Sequence, residues 1–229
     1  DQLKSEINRI STDTEFNTKK LLDGSIANSA KIDPEANAAK LTAVEVIDDN
    51  LAAGDYTVTI SDSTAEAELT DNTTGAAEAA TLGSDVAMGT YTLELVANGD
   101  NFDLTLTNAA GEVVETVYNE AIAPTEDNSD AVTIGGIEFT WEAESTVAEG
   151  TATVTVSADL TVSVKDSDDN EIGATTAEGN TTGFVNVGGF KLSFDSDLAD
   201  ESATITVKTD AVSFQIGANE GQMTKLAIS

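Results

Sequence analysis

Gly54-Asp55-Tyr56-Thr57-Val58-Thr59-Ile60-Ser61 decides the fold class: Tyr56, Val58 and Ile60 are apolar, while Thr57, Thr59 and Ser61 between them are polar. Successive side chains of a strand point to opposite faces, so a period of two predicts a strand with one buried and one wet face. The same alternation recurs along the chain. It appears at Tyr91, Leu93 and Leu95, at Phe102, Leu104 and Leu106, and at Ile137, Phe139 and Trp141. It continues at Val154 and Val156, at Leu160, Val162 and Val164, at Phe190, Leu192 and Phe194, and at Ile205 and Val207. β-Branched residues dominate these runs, and few stretches are long enough for helical crossovers, so the sheets are expected to be antiparallel.

Turn chemistry separates the runs. Asn98-Gly99 signals a hairpin, here within a slightly longer loop, and Ala110-Gly111 and Asp166 to Gly173 are read as further turns. Gly54-Asp55-Tyr56-Thr57-Val58 echoes Gly89-Thr90-Tyr91-Thr92-Leu93, a weak internal repeat. The polar stretch Pro124 to Asp130 suggests two β modules, 41–124 and 125–207, or else one continuous domain 41–207.

The ends differ from this middle. Leu3, Ile7 and Ile10 sit at i, i+4 and i+7, one stripe of a short helix read as the end of a longer one. Residues 1–22 hold Lys4, Arg9, Lys19 and Lys20, four of the ten basic residues. Phe16, Leu21 and Leu22 supply apolar anchors before the turn signal Asp23-Gly24-Ser25. Residues 27–50 are Ala-rich, and a linker or a short helix over Glu35 to Asp48 is expected there.

Composition removes several kinds of chemistry. The 229 residues include no cysteine and no histidine, which excludes disulfides, thiolate zinc sites, cysteine nucleophiles and Ser-His-Asp triads. Forty-two acids against ten basic residues give a net charge of -32, a surface that repels nucleic acid and anionic lipid. No apolar run approaches the roughly 20 residues that span a bilayer. No cofactor and no catalytic residue is expected.

The motifs that invite chemistry read better as structure. Asp166, Asp168 and Asn170 match the first three ligand positions of a calcium loop, but Glu171 stands where glycine is needed and Ala177 where the bidentate Glu is needed. A solvated hairpin loop is expected instead. Paired carboxylates for glycoside cleavage arise by chance among so many acids, and aromatics are only 5% of the chain, too few for a sugar platform. Gly135-Gly136 and Gly188-Gly189 lack the following Lys-Ser or Lys-Thr of a phosphate loop and are read as tight turns or bulges. Trp141 lies on an apolar strand face, so core packing is expected. Asn72-Thr73-Thr74 and Asn180-Thr181-Thr182 match the N-glycosylation tripeptide.

Two segments carry a resemblance. EINRISTDTEFNTKKLLDGS, Glu6 to Ser25, resembles the stretch of bacterial flagellins where the first long core helix ends. FQIGANEGQ, Phe214 to Gln222, resembles the stretch where the flagellin chain re-enters that core. Asn8 stands where many members carry Asp, and Thr18 where relatives often carry Gly. The metalloprotease insert of some flagellins needs H-E-x-x-H, which a chain without histidine cannot supply.

The resemblance implies a filament building block with a variable, outward domain. Expected core and subunit packing residues are Leu3, Ile7, Arg9, Ile10, Phe16, Asn17, Leu21, Leu22, Phe214, Gln215, Ile216, Gly217, Ala218, Asn219, Glu220, Gly221 and Gln222. Gly217 and Gly221 bracket Ala218-Asn219-Glu220, a run suited to a shaped loop, after which Met223, Leu226 and Ile228 are expected to pack on Leu3, Ile7 and Ile10. The implied partners are other flagellin subunits, the flagellar export apparatus and its chaperone, and a vertebrate Toll-like receptor touching only the core region; the implied location is extracellular. The expected fold is mainly β with a short α segment: sandwich-like antiparallel modules inserted into the end of a helical and β-hairpin core formed by residues 1–40 and 208–229. The alternative is an extracellular adhesin or surface-layer β module that binds glycan or host protein.

Overall fold

The computed structural model describes residues 2–3, 15–16, 19–20, 28–48, 50–72, 75–126, 128–209, 212–215 and 223–226. Most of this is antiparallel strand, and Gln2 and Leu3 alone are helical among the described residues. Two small hairpins belong to the ends: β1 (Glu15–Phe16) with β2 (Lys19–Lys20), and β17 (Val212–Gln215) with β18 (Met223–Leu226).

Between them lie β3 (Asn28–Asn37), β4 (Ala43–Val46), β5 (Gly54–Asn72), β6 (Ala79–Leu82), β7 (Gly89–Asn98), β8 (Asn101–Asn108), β9 (Val113–Glu120), β10 (Asp130–Ile134), β11 (Ile137–Trp141), β12 (Gly150–Lys165), β13 (Glu171–Asn180), β14 (Phe184–Val187), β15 (Phe190–Ser193) and β16 (Ser202–Thr209). The spine is the pair β5–β12, in register from Thr57↔Lys165 to Asn72↔Ala152. One large sheet runs β3-β16-β5-β12-β7-β8-β9, with β13 on the same edge of β12 as β7 but farther along it, from Ala158 to Lys165. Two three-stranded sheets, β14-β15-β4 and β10-β11-β6, complete the middle of the chain.

This arrangement makes two lobes, each with its own core. In the first lobe β3, β16, β5, β12 and β13 supply one layer and β14-β15-β4 the other. They enclose Tyr56, Val58, Ile60, Leu160, Val162, Phe190, Leu192, Ile205 and their neighbours. In the second lobe β5, β12, β7, β8 and β9 lie beneath β10-β11-β6, around Leu93, Leu104, Ile137, Phe139, Trp141 and Val154. β12 faces both cores with one unbroken alternation, Ala152, Val154, Val156, Ala158, Leu160, Val162 and Val164, all buried. β5 cannot do so directly. A bulge at Asp62, whose φ is 53°, sets two residues against one of β12. Inward parity changes from even (Tyr56, Val58, Ile60) to odd (Ala65, Ala67, Leu69) and the same face stays buried.

The lobes are copies of one topology, nested rather than in tandem. Taking β4, β5, β12, β13, β14, β15 and β16 in turn, the second lobe offers β6, β7, β8, β9, β10, β11 and β12, and each pairing of one set recurs in the other. β16 lies between β3 and β5 in the first lobe, as β12 lies between β5 and β7 in the second. The sequences agree at matched places. Ser202-Ala203-Thr204-Ile205-Thr206-Val207 answers Thr151-Ala152-Thr153-Val154-Thr155-Val156, and Asp159-Leu160-Thr161-Val162 answers Asp103-Leu104-Thr105-Leu106. Ala203 pairs with Asn37 just as Ala152 pairs with Asn72. The whole second lobe therefore occupies the tip of the β5–β12 hairpin. Its own equivalent hairpin, β7–β8, closes on two residues, Gly99-Asp100.

Three local expectations change. The stretch 27–50 is not a helix but contains β3 and β4, because Val44 and Val46 alternate into the first core and Ile32 pairs with Ile205. Pro34 fits there because β3 is an edge strand and bulges: Ile32 and Asn37 oppose residues only two apart, Ile205 and Ala203. The Asn98-Gly99 loop is shorter than expected; Gly99, with φ 69°, takes the first position of a two-residue turn. The polar stretch from Pro124 to Asp130 leads from β9 to β10, both in the second lobe. Gly135-Gly136 and Gly188-Gly189 are tight turns as expected. All four have positive φ, as a mirror-image hairpin turn requires, and they occupy matched places in the two lobes.

Candidate functional site

The sequence places its functional residues at the two ends, and the structure describes the strands that adjoin those ends. β3 and β16 are antiparallel neighbours, with Asn28 opposite Thr209 and Ser29 opposite Lys208. Chain leading into the β region and chain leading out of it thus lie on adjacent strands. Adjacent exits are what an inserted domain needs, because a loop-out must not separate the strands of its host.

Of the residues named for core packing, Leu3 is 76% exposed. Phe16 lies in β1 opposite Lys19. Phe214 and Gln215 lie in β17 opposite Thr224 and Met223. Ile7, Arg9, Ile10, Asn17, Leu21, Leu22, Ile216, Gly217, Ala218, Asn219, Glu220, Gly221 and Gln222 lie outside the described residues.

The acidic loop after β12 is a hairpin turn, as expected, and its carboxylate is fully engaged. Asp166 Oδ1 accepts the backbone N–H of Asp168 and of Asn170, both at 2.9 Å, and Asn170 Nδ2 donates to the same carboxylate. The hydrogen bonds from Asn170, side chain first and backbone next, hold Asp166 below its ordinary carboxylate value. Lys165 Nζ pairs with Asp169 at 2.9 Å. The counterpart turn of the second lobe makes the same bonds: Asn108 Oδ1 accepts from Ala110 and Glu112, both at 3.0 Å. A loop whose oxygens already cap its own backbone is a turn, not a cage. Among the described residues no three acidic side chains converge as ligands would.

The tripeptide asparagines are likewise structural. Asn180 Oδ1 accepts from Thr182 N at 2.8 Å and Gly183 N at 3.1 Å, and its Nδ2 donates to Phe184 O at 3.0 Å. Asn72 Nδ2 donates to Ala77 O. Trp141 is wholly buried and its Nε1 donates to Gly75 O at 3.0 Å, so it packs the second core as expected.

Surface charge is the feature that sequence reasoning underused. Between Lys40 and Lys165 no lysine or arginine occurs. The second lobe, residues 62–158, carries nineteen acids and no basic residue. Lys165 and Lys191, which pair with Asp169 and Glu45, both belong to the first lobe. Counting charge by segment rather than over the whole chain would have found this.

No protein-family profile matches this chain, and no curated protein matches it. Among solved structures, two domains of the flagellar cap protein FliD from Escherichia coli superpose on it with a TM-score of 0.28 and 12% identity, over 80% of this chain and all of that one. So loose a superposition carries no functional argument, and the reading of the chain rests on its own residues.

Proposed function

We propose that this chain is the outward, variable part of a flagellin: an extracellular structural element of the bacterial flagellar filament, with no catalytic role. The observation that carries this reading is the antiparallel register Asn28↔Thr209. It brings together the chain following EINRISTDTEFNTKKLLDGS and the chain preceding FQIGANEGQ, the two segments that resemble a flagellin core. A nested pair of β lobes projecting from one pair of strands suits a domain carried on a filament surface. Side chains such as Ile7, Arg9, Ile10 and Ile216 would then pack within the core and against neighbouring subunits. Export through the flagellar apparatus and any receptor contact would fall to that core, not to the lobes.

Immunogold microscopy tests the reading. Antibodies raised against this chain should decorate filaments along their whole length on cells of the source bacterium. Gold confined to the cell wall would overturn the proposal and favour the adhesin.

A further inference from the structure

We propose that the free edge of β9, in the second lobe, is a docking site for an extended basic peptide, which it takes up as an added strand. β9 ends the large sheet: it pairs with β8 and has no strand on its other side among the described residues. An edge strand offers a row of backbone donors and acceptors, and proteins normally blunt it. β3 and β13, the other edges of the large sheet, lack a cluster of exposed large apolar side chains. β3 carries Lys31 and Pro34 and a wide bulge. β13, the first-lobe counterpart of β9, carries Glu171, Gly173, Glu178 and Gly179.

β9 is different. Val113 is 62% exposed, Val114 43% and Tyr118 74%, the densest group of exposed large apolar side chains in the described chain. Its two bulges, at Val114 and at Tyr118-Asn119, bracket a regular stretch from Glu115 to Val117. A peptide strand would pair along that stretch and meet apolar side chains at both ends of it.

Charge selects the occupant. The second lobe holds nineteen acids and no cation, and Glu112, Glu115 and Glu120 lie on or beside β9 itself. A second copy of the chain would bring the same charge to the edge and be repelled. A strand alternating lysine or arginine with apolar residues is attracted by the field and fits the valines and the tyrosine.

The test uses the intact chain and a capped ten-residue peptide of alternating lysine and valine, followed by amide NMR shifts and calorimetry. Shifts should map to β9 and spare β13. Val113→Glu with Tyr118→Glu should weaken binding about tenfold or more, which is about 1.4 kcal/mol. Val96→Glu, at a 49% exposed site on β7 away from the edge, should leave binding unchanged. Tryptophan emission of Trp141 reports that each variant keeps its second core. Equal binding of a lysine-serine peptide would reduce the effect to bulk charge attraction and overturn the proposal. So would equal shifts in β13, self-association through β9, or no binding.

Discussion

Tyr56 and Tyr91 stand in the same relationship to their own chain: each donates its phenolic O–H to the carbonyl four residues upstream, Ala52 and Ala87, at 2.8 Å in both cases. Each ring is buried at the start of a strand, and burial pushes both phenols above their ordinary value. The echo between Gly54-Asp55-Tyr56 and Gly89-Thr90-Tyr91 therefore marks a repeated corner, in which a tyrosine ties the chain entering a strand to the first core layer. Tyr56 adds an edge-on contact to Phe190 at 5.2 Å.

Removing one hydroxyl tests the corner. Tyr56→Phe and Tyr91→Phe each keep the ring and delete a single hydrogen bond, so each should cost about 1 kcal/mol. Urea unfolding of the two variants should give midpoints lowered by similar amounts with unchanged slopes. A cost confined to one lobe would mean that the matching geometry does not carry matching energy.

The strands were legible because alternation is a local signal: Tyr56-Val58-Ile60 and Ile137-Phe139-Trp141 need only their own neighbours to be read. The duplication was not. Tandem copies keep one spacing, but a nested copy does not. Tyr56 of the first lobe precedes Tyr91 of the second, whereas Asp159 of the first follows Asp103 of the second. No fixed offset aligns both, so only one fragment of the repeat stands out. Residues 35–48 failed differently: alanine has the highest helix propensity, but propensity is a small term, and strand pairing with β16 and β15 overrode it. The pairing of Asn28 with Thr209 joins strands far apart in the chain, and nothing local in the sequence encodes it.

Nesting makes a strong prediction about excision. In the second lobe Val96 pairs with Asp103, and Ala97 to Phe102 forms the hairpin tip. Thr64 and Asp159, which pair likewise, hold the corresponding places in the first lobe. Replacing residues 65–158 by the six residues Ala-Asn-Gly-Asp-Asn-Phe should leave a first lobe that folds alone. Its hydrophobic cluster loses only Ala158, Ala65 and the shared Met88, with Phe190, Leu192, Ile205 and Val162 retained. Circular dichroism should show strand content and a cooperative thermal transition. A chain that melts without cooperativity would show that the second lobe is required for the first.

Trp141 is the only tryptophan, so its fluorescence reports on the second core alone. Phe139→Ala empties a fully buried site beside it and should cost about 3–5 kcal/mol. Phe190→Ala makes the matching cavity in the first lobe. Because β5 and β12 run through both cores, Phe190→Ala should also lower the fluorescence midpoint, though by less than the ellipticity midpoint. An unshifted fluorescence midpoint would mean that the lobes unfold independently despite their shared strands.

Acid should act on stability in two opposed ways. With a net charge of -32, self-repulsion opposes the compact state at neutral pH, and protonation of unpaired carboxylates relieves it. Stability should therefore rise as pH falls from 7 toward 5. The capping aspartates reverse the trend. Asp166 is lowered first by the side chain of Asn170, Asp103 by that of Asn98, and Asp200 by that of Ser63, with backbone N–H groups adding to each. A depressed carboxyl stabilises the fold above the unfolded value, about 3.9 for Asp, and the benefit is lost as pH falls through the lower folded value. The melting temperature should thus peak near pH 4–5 and fall below it. In 1 M salt, where the screening length is about 3 Å, the rise from pH 7 should flatten because the repulsion is already screened. The acid-side fall should persist, since short hydrogen bonds are little screened. Asp166→Asn should make that fall shallower. A melting temperature independent of salt at pH 7 would rule out self-repulsion as the destabilising force.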